Sequence, residues 1–234
     1  AGIWYGNYMR TYIERDVRQM INVRDLSAFQ RFVRMCAGRT GQLTNLSALA
    51  NDCGVTHNTA KAWLSVLEAS YIVHLLQPHH RNFDKRLVKT PKLYFCDTGL
   101  ACWLLGIRTA AQVGSHALRG ALFETWAVGE MLKARYNRGL ESNLYFWRDR
   151  SGNEVDVLIE EGNKLAPVEI KAGQTVSSDF FRGLDRWQEM AKEHSGKAWL
   201  LYGGDKAQTR LGYKVVPWAE IGSLASQLAA KEGM

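Results

Sequence analysis

Asp156, Glu169 and Lys171 stand in two neighbouring runs of sequence that alternate apolar and polar residues. The alternation has the period of two that a β-strand requires, so both runs are predicted strands. Gly162-Asn163 between them is a two-residue hairpin signal. A loop of that length places Asp156 opposite Glu169, with Lys171 on the same face as Glu169. The sequence therefore predicts two acids and a lysine together on one face of a sheet.

The apolar residues of the two runs support this register. The same pairing sets aliphatic residues opposite one another, with the acids on the other face: Val155 with Ile170, and Val157 with Val168. A longer loop with a shifted register would leave each residue on the same face of the sheet, but the two acids would then be diagonal neighbours and not directly opposite. The acidic pair therefore depends on the two-residue turn.

Opposed carboxylates of this kind indicate a bound cation. Two acids directly across a sheet repel each other unless a cation or a shared proton compensates. Two carboxylates suit Mg²⁺ or Mn²⁺, so Asp156 and Glu169 are candidate metal ligands. Lys171 is placed to activate a water molecule or to stabilise charge that develops on a phosphate. The chemistry indicated is phosphodiester hydrolysis, and the alternative is an exposed polar face on which Glu and Lys alternate.

A fourth candidate, Glu124, lies on a predicted helix that begins near Leu118. At helical spacing it shares a face with small and apolar residues, which are Gly120, Ala121, Ala127, Val128 and Met131. A carboxylate buried without a partner is costly. We therefore expect Glu124 to be protonated in the fold, or to meet a cation, a hydrogen-bond donor or a metal ion.

The residues before this helix carry the positive charge of the chain. The 234 residues include 30 Lys and Arg against 23 Asp and Glu, a net charge of +7. Residues 1–112 hold 14 Lys and Arg against 7 Asp and Glu, so the whole surplus lies there. The densest run lies between His79 and Lys92 and includes Arg81, Lys85, Arg86 and Lys89. Such a run favours contact with a polyanion, although a solvated loop has the same composition.

Residues 45–69 have the spacing of a helix-turn-helix, with a turn at Gly54. The second helix presents polar residues at its N-terminal end, where recognition helices meet DNA: Thr56, His57, Asn58 and Lys61. Strand-like runs at 71–76 and 92–95 flank the basic run, which is therefore a candidate wing. A winged helix is also a common protein-interaction module, so protein docking without DNA contact is the alternative.

Composition and length bound the remaining choices. No apolar stretch approaches the roughly 18 residues of a membrane span, and the four cysteines form no C-x-x-C pair. We therefore expect a soluble, cytoplasmic protein with reduced thiols. A polar, glycine-bearing stretch from Gly106 to Leu118 favours a boundary there, with domains at 1–107 and 108–234. The chain begins without an initiator Met or a signal peptide, so we expect part of a longer protein.

These motifs together resemble known families. Asp156 followed by Glu169-Ile-Lys171, with Glu124 on the preceding helix, is similar to the PD-(D/E)XK nuclease superfamily in its Holliday-junction-resolvase-like form. The superfamily's proline before the first acid is replaced here by Val155. Further motifs resemble a family of prokaryotic AAA+ ATPases with a C-terminal winged helix and a nuclease-like region of unknown function: Tyr12-Ile-Glu-Arg-Asp-Val, Gly41-Gln-Leu, Lys92-Leu-Tyr-Phe-Cys-Asp-Thr-Gly-Leu and Leu122-Phe-Glu.

The resemblance implies an α/β protein with an N-terminal helical winged helix-turn-helix module and a PD-(D/E)XK-like mixed-sheet α/β domain. It also implies an ATPase domain that precedes this chain and a site formed by Glu124, Asp156, Glu169 and Lys171, whereas DNA is expected as a partner from the basic run and the helix-turn-helix. The chain has no G-x-x-x-x-G-K-[S/T] motif, so no ATP site is expected in it. The sequence leaves open an active endonuclease or an adaptor module with an inactive nuclease fold, and it leaves the oligomeric state open.

Overall fold

The computed structural model describes residues 2–17, 25–79 and 88–229. Contacts divide the chain into two compact units. The first combines the residues up to Leu75 with Lys92–Thr125, and the second combines Leu76–Pro91 with the residues from Trp126 onward. The boundary expected between residues 107 and 108 falls inside the first unit of this division. Within the described ranges, every helix is too short or too polar to span a bilayer.

The first unit is mostly helical. Side-chain oxygens cap its helices, because Asp25, Asn45, Thr56 and Asp97 each accept a backbone N–H from three residues onward. Its elements are α1 (Gly2–Thr11), a π-helical segment (Tyr12–Val17), α2 (Leu26–Ala37), β1 (Gln42–Leu43), α3 (Leu46–Cys53), α4 (His57–Ala69), β2 (Val73–Leu76), β3 (Lys92–Phe95), α5 (Thr98–Leu104), α6 (Ala110–Ser115) and the start of α7 (Arg119–Tyr136).

Helices α3 and α4 form the predicted helix-turn-helix. Gly54 follows α3 with φ of 69°, a left-handed conformation that glycine adopts without steric cost. Thr56 then caps α4. The two helices share one apolar core cluster with α2, to which Phe29, Leu49, Ala60, Trp63 and Leu67 belong.

Strands β1, β3 and β2 lie side by side in a small sheet, with β1 antiparallel to β3. From α2 to β3 the chain runs helix, strand, helix, helix, strand, strand, which is the order of a winged helix. Gly41 introduces β1 with φ of 75° and donates its N–H to Leu93 O at 2.7 Å. The elements of the predicted winged helix are therefore present in the described residues.

The second unit is built on a mixed sheet. Across the described residues, six strands follow the order β4-β5-β6-β7-β9-β8. They are β4 (Leu144–Arg148), β5 (Glu154–Glu161), β6 (Lys164–Lys171), β7 (Trp199–Tyr202), β8 (Gln208–Arg210) and β9 (Tyr213–Pro217). The pairs β6·β7 and β7·β9 are parallel and the other neighbours are antiparallel. The expected mixed-sheet α/β architecture is confirmed.

Helices of this unit pack on the sheet through apolar stripes. A 3-10 turn (Ser178–Phe181) leads into α8 (Arg182–Ala191), which buries Leu184 and Trp187. The Trp187 ring meets Trp147 of β4 edge-on, with ring centroids 5.7 Å apart. After short 3-10 turns (Lys192–His194 and Trp218–Glu220), α9 (Ile221–Ala229) closes the described chain.

The hairpin β5–β6 has the predicted register. Val157 pairs with Val168, and the ladder continues to the pair that precedes the two-residue turn Gly162-Asn163. Gly162 has φ of 62°, as a tight hairpin turn requires. The turn length and the alternation of apolar residues were sufficient to define this pairing.

Strand β5 carries one extra residue opposite β4. Tyr145 pairs with Leu158 and Trp147 with Val155, so two steps along β4 correspond to three along β5. This is a β-bulge, and it lets Val155 and Leu158 pack in the same apolar cluster. The prediction that Val155 shares a face with Val157 is therefore wrong, because the bulge interrupts the period of two.

Candidate functional site

The structure brings Asp156, Glu169 and Lys171 together in the second unit. Lys171 Nζ lies 2.5 Å from Glu169 Oε1 and 3.9 Å from Asp156 Oδ2. The two carboxylate side chains are only 10% and 8% exposed, whereas the lysine side chain is 33% exposed. The acids are thus largely withdrawn from water, and the lysine is the most exposed side chain of the three. Their mutual repulsion is offset by a cation, as the sequence required.

Asp156 is fixed by the backbone of the neighbouring strand. Its Oδ2 accepts the N–H of Ile170 at 2.8 Å, just beyond the pair formed by Val157 and Val168. This side-chain-to-backbone bond holds the carboxylate against β6 where the pairing of β5 with β6 ends.

Glu154 is an acid of the site that the sequence reasoning did not select. One of its carboxylate oxygens lies within 4.8 Å of one from Asp156. Glu154 Oε2 also accepts a hydrogen bond from Arg148 Nη1 at 2.9 Å, across the antiparallel pair β4·β5. The sequence signal for this residue was its position two residues before Asp156 in the same predicted strand. The second unit therefore offers three neighbouring carboxylates.

Gly183 allows helix α8 to begin close to these acids. A Cβ at this position would lie 2.3 Å from Glu154 O and 3.0 Å from Glu169 Oε2. Any other residue would force the backbone of α8 away from β5. The first turn of a helix carries partial positive charge, so this approach adds a favourable field at the Glu169 carboxylate.

The donor set suits a divalent cation. Carboxylate oxygens are the ligands that Mg²⁺ and Mn²⁺ take in proteins, and Mg²⁺ commonly uses one or two of them and keeps bound water. Asp156, Glu154 and Glu169 supply such oxygens on neighbouring strands. The same oxygens are compensated by Lys171 and Arg148, so the arrangement is also stable as a set of ion pairs.

Glu124 lies in the first unit, where it meets both a cation and a donor. Lys92 Nζ is 2.9 Å from Glu124 Oε1, and the Tyr94 hydroxyl donates to the same oxygen at 2.5 Å. The lysine side chain is 3% exposed. Lys92 and Tyr94 are two residues apart on β3, so they share a face of that strand. The expectation that a buried Glu124 finds a cation or a donor is confirmed.

The predicted DNA-contacting residues of α4 are all exposed. Thr56, His57, Asn58 and Lys61 occupy the cap and first turns of this helix. Thr56 Oγ1 accepts the Thr59 N–H at 3.1 Å, so this exposed residue is also the N-terminal cap of α4. Of the predicted basic run, Lys89 is exposed, whereas Arg81, Lys85 and Arg86 lie outside the described residues.

The described ends of the predicted wing bond to β4 in the second unit. His79 donates its N–H to Phe146 O at 2.8 Å, and Phe146 donates its N–H to Gln77 O at 3.1 Å. On the other side of the basic run, Val88 donates its N–H to Arg148 O at 3.1 Å. Backbone hydrogen bonds therefore tie both described ends of the candidate wing to the mixed sheet.

Two family models match the chain. Residues 1–111 match a family described as Domain of unknown function (DUF8612), and residues 119–221 match one described as Domain of unknown function (DUF4143). The first range covers the helix-turn-helix and the small sheet. The second covers the hairpin with Asp156 and Glu169.

Similar proteins include two from mycobacteria. An uncharacterized protein of Mycobacterium bovis and one of Mycobacterium tuberculosis are each 32% identical over 177 residues, which cover 76% of this chain and 39% of the relative. The chain thus spans about two fifths of the length of these curated relatives. The crystal structure of a Vibrio cholerae protein is 15% identical with a TM-score of 0.36, over 87% of this chain and 56% of that one.

Proposed function

We propose that this chain binds DNA through its winged helix and carries a divalent-metal-dependent phosphodiesterase site in its second unit. The observation that carries the proposal is the convergence of Asp156, Glu169 and Lys171, with Lys171 Nζ within 3.9 Å of both carboxylates. Phosphodiester hydrolysis by a metal-dependent enzyme uses carboxylates that bind the metal ion and a nearby lysine that is accessible to the substrate. The site would act on DNA as an endonuclease.

Each residue has a distinct role in the proposed site. Asp156 and Glu169 would hold Mg²⁺ or Mn²⁺, and Glu154 adds a carboxylate beside Asp156. The ion would supply Lewis acidity toward a phosphate oxygen. Lys171, the most exposed of the set, would orient a water molecule or stabilise charge on the phosphate. Glu124 belongs to the first unit, and its part in the reaction stays a prediction from the sequence motif.

The chain would form the C-terminal part of a cytoplasmic AAA+ ATPase. The motifs noted above, the match to DUF4143 and the greater length of the mycobacterial relatives support this context. The ATPase domain would be a partner of the chain and would supply the nucleotide site that its sequence lacks.

Cleavage of supercoiled plasmid in Mg²⁺ or Mn²⁺ tests the proposal. The wild type should nick the plasmid, Glu169→Gln should abolish nicking, and Glu189→Gln, at an exposed position of α8, should nick as the wild type does. Branched and single-stranded DNA should be assayed beside the plasmid. Metal-dependent nicking that survives in both Asp156→Asn and Glu169→Gln would reject the site.

The second candidate function is a non-enzymatic adaptor with an inactive nuclease fold. It is favoured by Lys171, which already compensates the two acids and so makes a metal ion unnecessary for the fold. Calorimetry with Mn²⁺ separates the two functions. Binding that is lost in Asp156→Asn supports the nuclease, whereas absence of both binding and cleavage supports the adaptor.

A further inference from the structure

Arg148 and Glu154 form an ion pair at the edge of the proposed site. They are paired directly across β4 and β5, and Arg148 Nη1 lies 2.9 Å from Glu154 Oε2. The arginine side chain is 38% exposed and the glutamate side chain 21% exposed. The Arg148 side chain is therefore more accessible to solvent than that of its carboxylate partner.

Glu154 is positioned to interact with two different cations. One of its oxygens lies within 4.8 Å of Asp156, the residue proposed to hold the metal ion. The other interaction is with Arg148. A divalent ion beside Asp156 would attract the Glu154 carboxylate more strongly than a singly charged guanidinium does, because the attraction scales with charge. Occupation of the metal site would thus weaken the bond from Glu154 to Arg148.

Basic residues continue from Arg148 into the surrounding surface. Val88 donates its N–H to Arg148 O at 3.1 Å, and the next residue, Lys89, is exposed. Arg150, on the turn after β4, is exposed as well. Lys89 follows a residue that bonds to Arg148, and Arg150 lies two residues after Arg148, so both supply positive charge that suits a sugar-phosphate backbone.

We propose that Arg148 is a phosphate-binding residue whose availability is controlled by the metal site. Without a divalent ion, Glu154 holds the guanidinium. With the ion bound, Glu154 turns to the metal, and the planar guanidinium donates two parallel hydrogen bonds to a DNA phosphate. Metal and DNA then bind cooperatively. This inference rests on the proposed function, since it needs a cation at Asp156 and DNA as the substrate.

Fluorescence anisotropy with a labelled 30-base-pair duplex tests the coupling. Affinity is measured in EDTA and in Ca²⁺, an oxygen-binding ion of the same charge that is used here in place of Mg²⁺. The variants are Arg148→Gln, Arg148→Lys and Glu154→Gln. The pair Arg186–Glu189 on α8, with an Nη1–Oε2 distance of 3.3 Å, supplies the matched controls Arg186→Gln and Glu189→Gln.

The two partners should change affinity in opposite directions. Glu154→Gln should raise the affinity in EDTA about threefold over Glu189→Gln, and it should remove most of the gain that Ca²⁺ gives the wild type. Arg148→Gln should lower the affinity in Ca²⁺ about fivefold and reduce the salt slope by about one, whereas Arg186→Gln should do neither. Arg148→Lys should fall between, because it keeps the charge but loses the paired donors.

The anisotropy measurements distinguish loss of the coupling from loss of DNA binding itself. If wild-type protein binds the duplex but Glu154→Gln and Arg148→Gln match their controls, the coupling is rejected and the DNA-binding function stands. If the wild type shows no affinity for the duplex at low salt, with or without Ca²⁺, both are rejected.

Discussion

At the scale of single residues, Glu124 accounts for two of the motifs noted in the sequence. Lys92 and Tyr94 both donate hydrogen bonds to its carboxylate from strand β3. These bonds join the motif Lys92-Leu-Tyr-Phe to the motif Leu122-Phe-Glu. The ammonium of Lys92 is 3% exposed and depends on an acceptor of opposite charge. The pair therefore ties β3 to the start of α7 within the first unit.

We predict that Glu124→Gln lowers the free energy of unfolding by about 3 kcal/mol, because it leaves a buried ammonium without its carboxylate. Urea denaturation followed by circular dichroism measures this change. Glu130→Gln, which breaks an exposed pair with Lys133 on the same helix, should cost about 0.5 kcal/mol or less. Equal losses in the two variants would contradict the prediction.

His74 on β2 should make the protein less stable in acid. Burial lowers the pKa of His74 below its usual value of 6.5, since the charged imidazole is poorly solvated there. The folded state therefore favours the neutral ring. The resulting stability is complete above the pKa of the unfolded chain and is lost as pH falls toward the lowered pKa of the folded state. We predict a shallower loss of unfolding free energy between pH 7 and pH 5 in His74→Gln, measured by urea titration, than in exposed His57→Gln.

At the scale of elements, the start of α8 is constrained by the strand beneath it. Gly183 lies where a Cβ would meet Glu154 O at 2.3 Å, and backbone atoms cannot move aside as a flexible side chain can. Gly222 on α9 has nothing within 4 Å of the same constructed atom. The two glycines thus offer a direct comparison within helices of the same unit.

Gly183→Ala should destabilise the protein by about 2 kcal/mol, because α8 must shift away from β5. Gly222→Ala should instead be neutral or stabilising by up to about 1 kcal/mol, from helix propensity alone. Thermal unfolding of both variants measures the difference. A gain of stability in Gly183→Ala would show that α8 and β5 are not in such close contact at Gly183.

The sequence was sufficient to predict those elements whose structure is determined by residues close together in the chain. The two-residue turn at Gly162-Asn163 and the alternation around it were sufficient for the register of β5 and β6. The bulge at Asp156 was missed, because it arises from pairing with β4 and leaves no mark in the β5 sequence. The Arg148–Glu154 pair was missed for the same reason. The backbone bonds that join Gln77 and His79 to Phe146 connect residues distant in sequence, and no local pattern indicates them.

At the scale of the whole molecule, the uneven charge predicts how DNA affinity responds to salt. The surplus of +7 lies in residues 1–112, which include the helix-turn-helix and the basic run. If five or six of these cations neutralise phosphates, the logarithm of affinity should fall with the logarithm of salt concentration at a slope near −5.

Affinity for a DNA duplex should therefore drop about a thousandfold between 50 and 200 mM KCl. Anisotropy titrations at several salt concentrations give the slope, and Lys61→Gln or Lys89→Gln should each reduce it by about one. A protein-docking winged helix would show little affinity for the duplex at 50 mM KCl, which would favour the adaptor.

The chain crosses between its two units at three places, after Leu75, after Pro91 and after Thr125 inside α7. A single recombination event in the gene therefore cannot exchange one unit for a foreign one without dividing the other. We expect the two units to be inherited together, and their sequences to change in step across related genomes. The same interleaving means that a protease nick after Leu75 would divide the first unit, a nick after Thr125 would divide the second, and a nick after Pro91 would divide both.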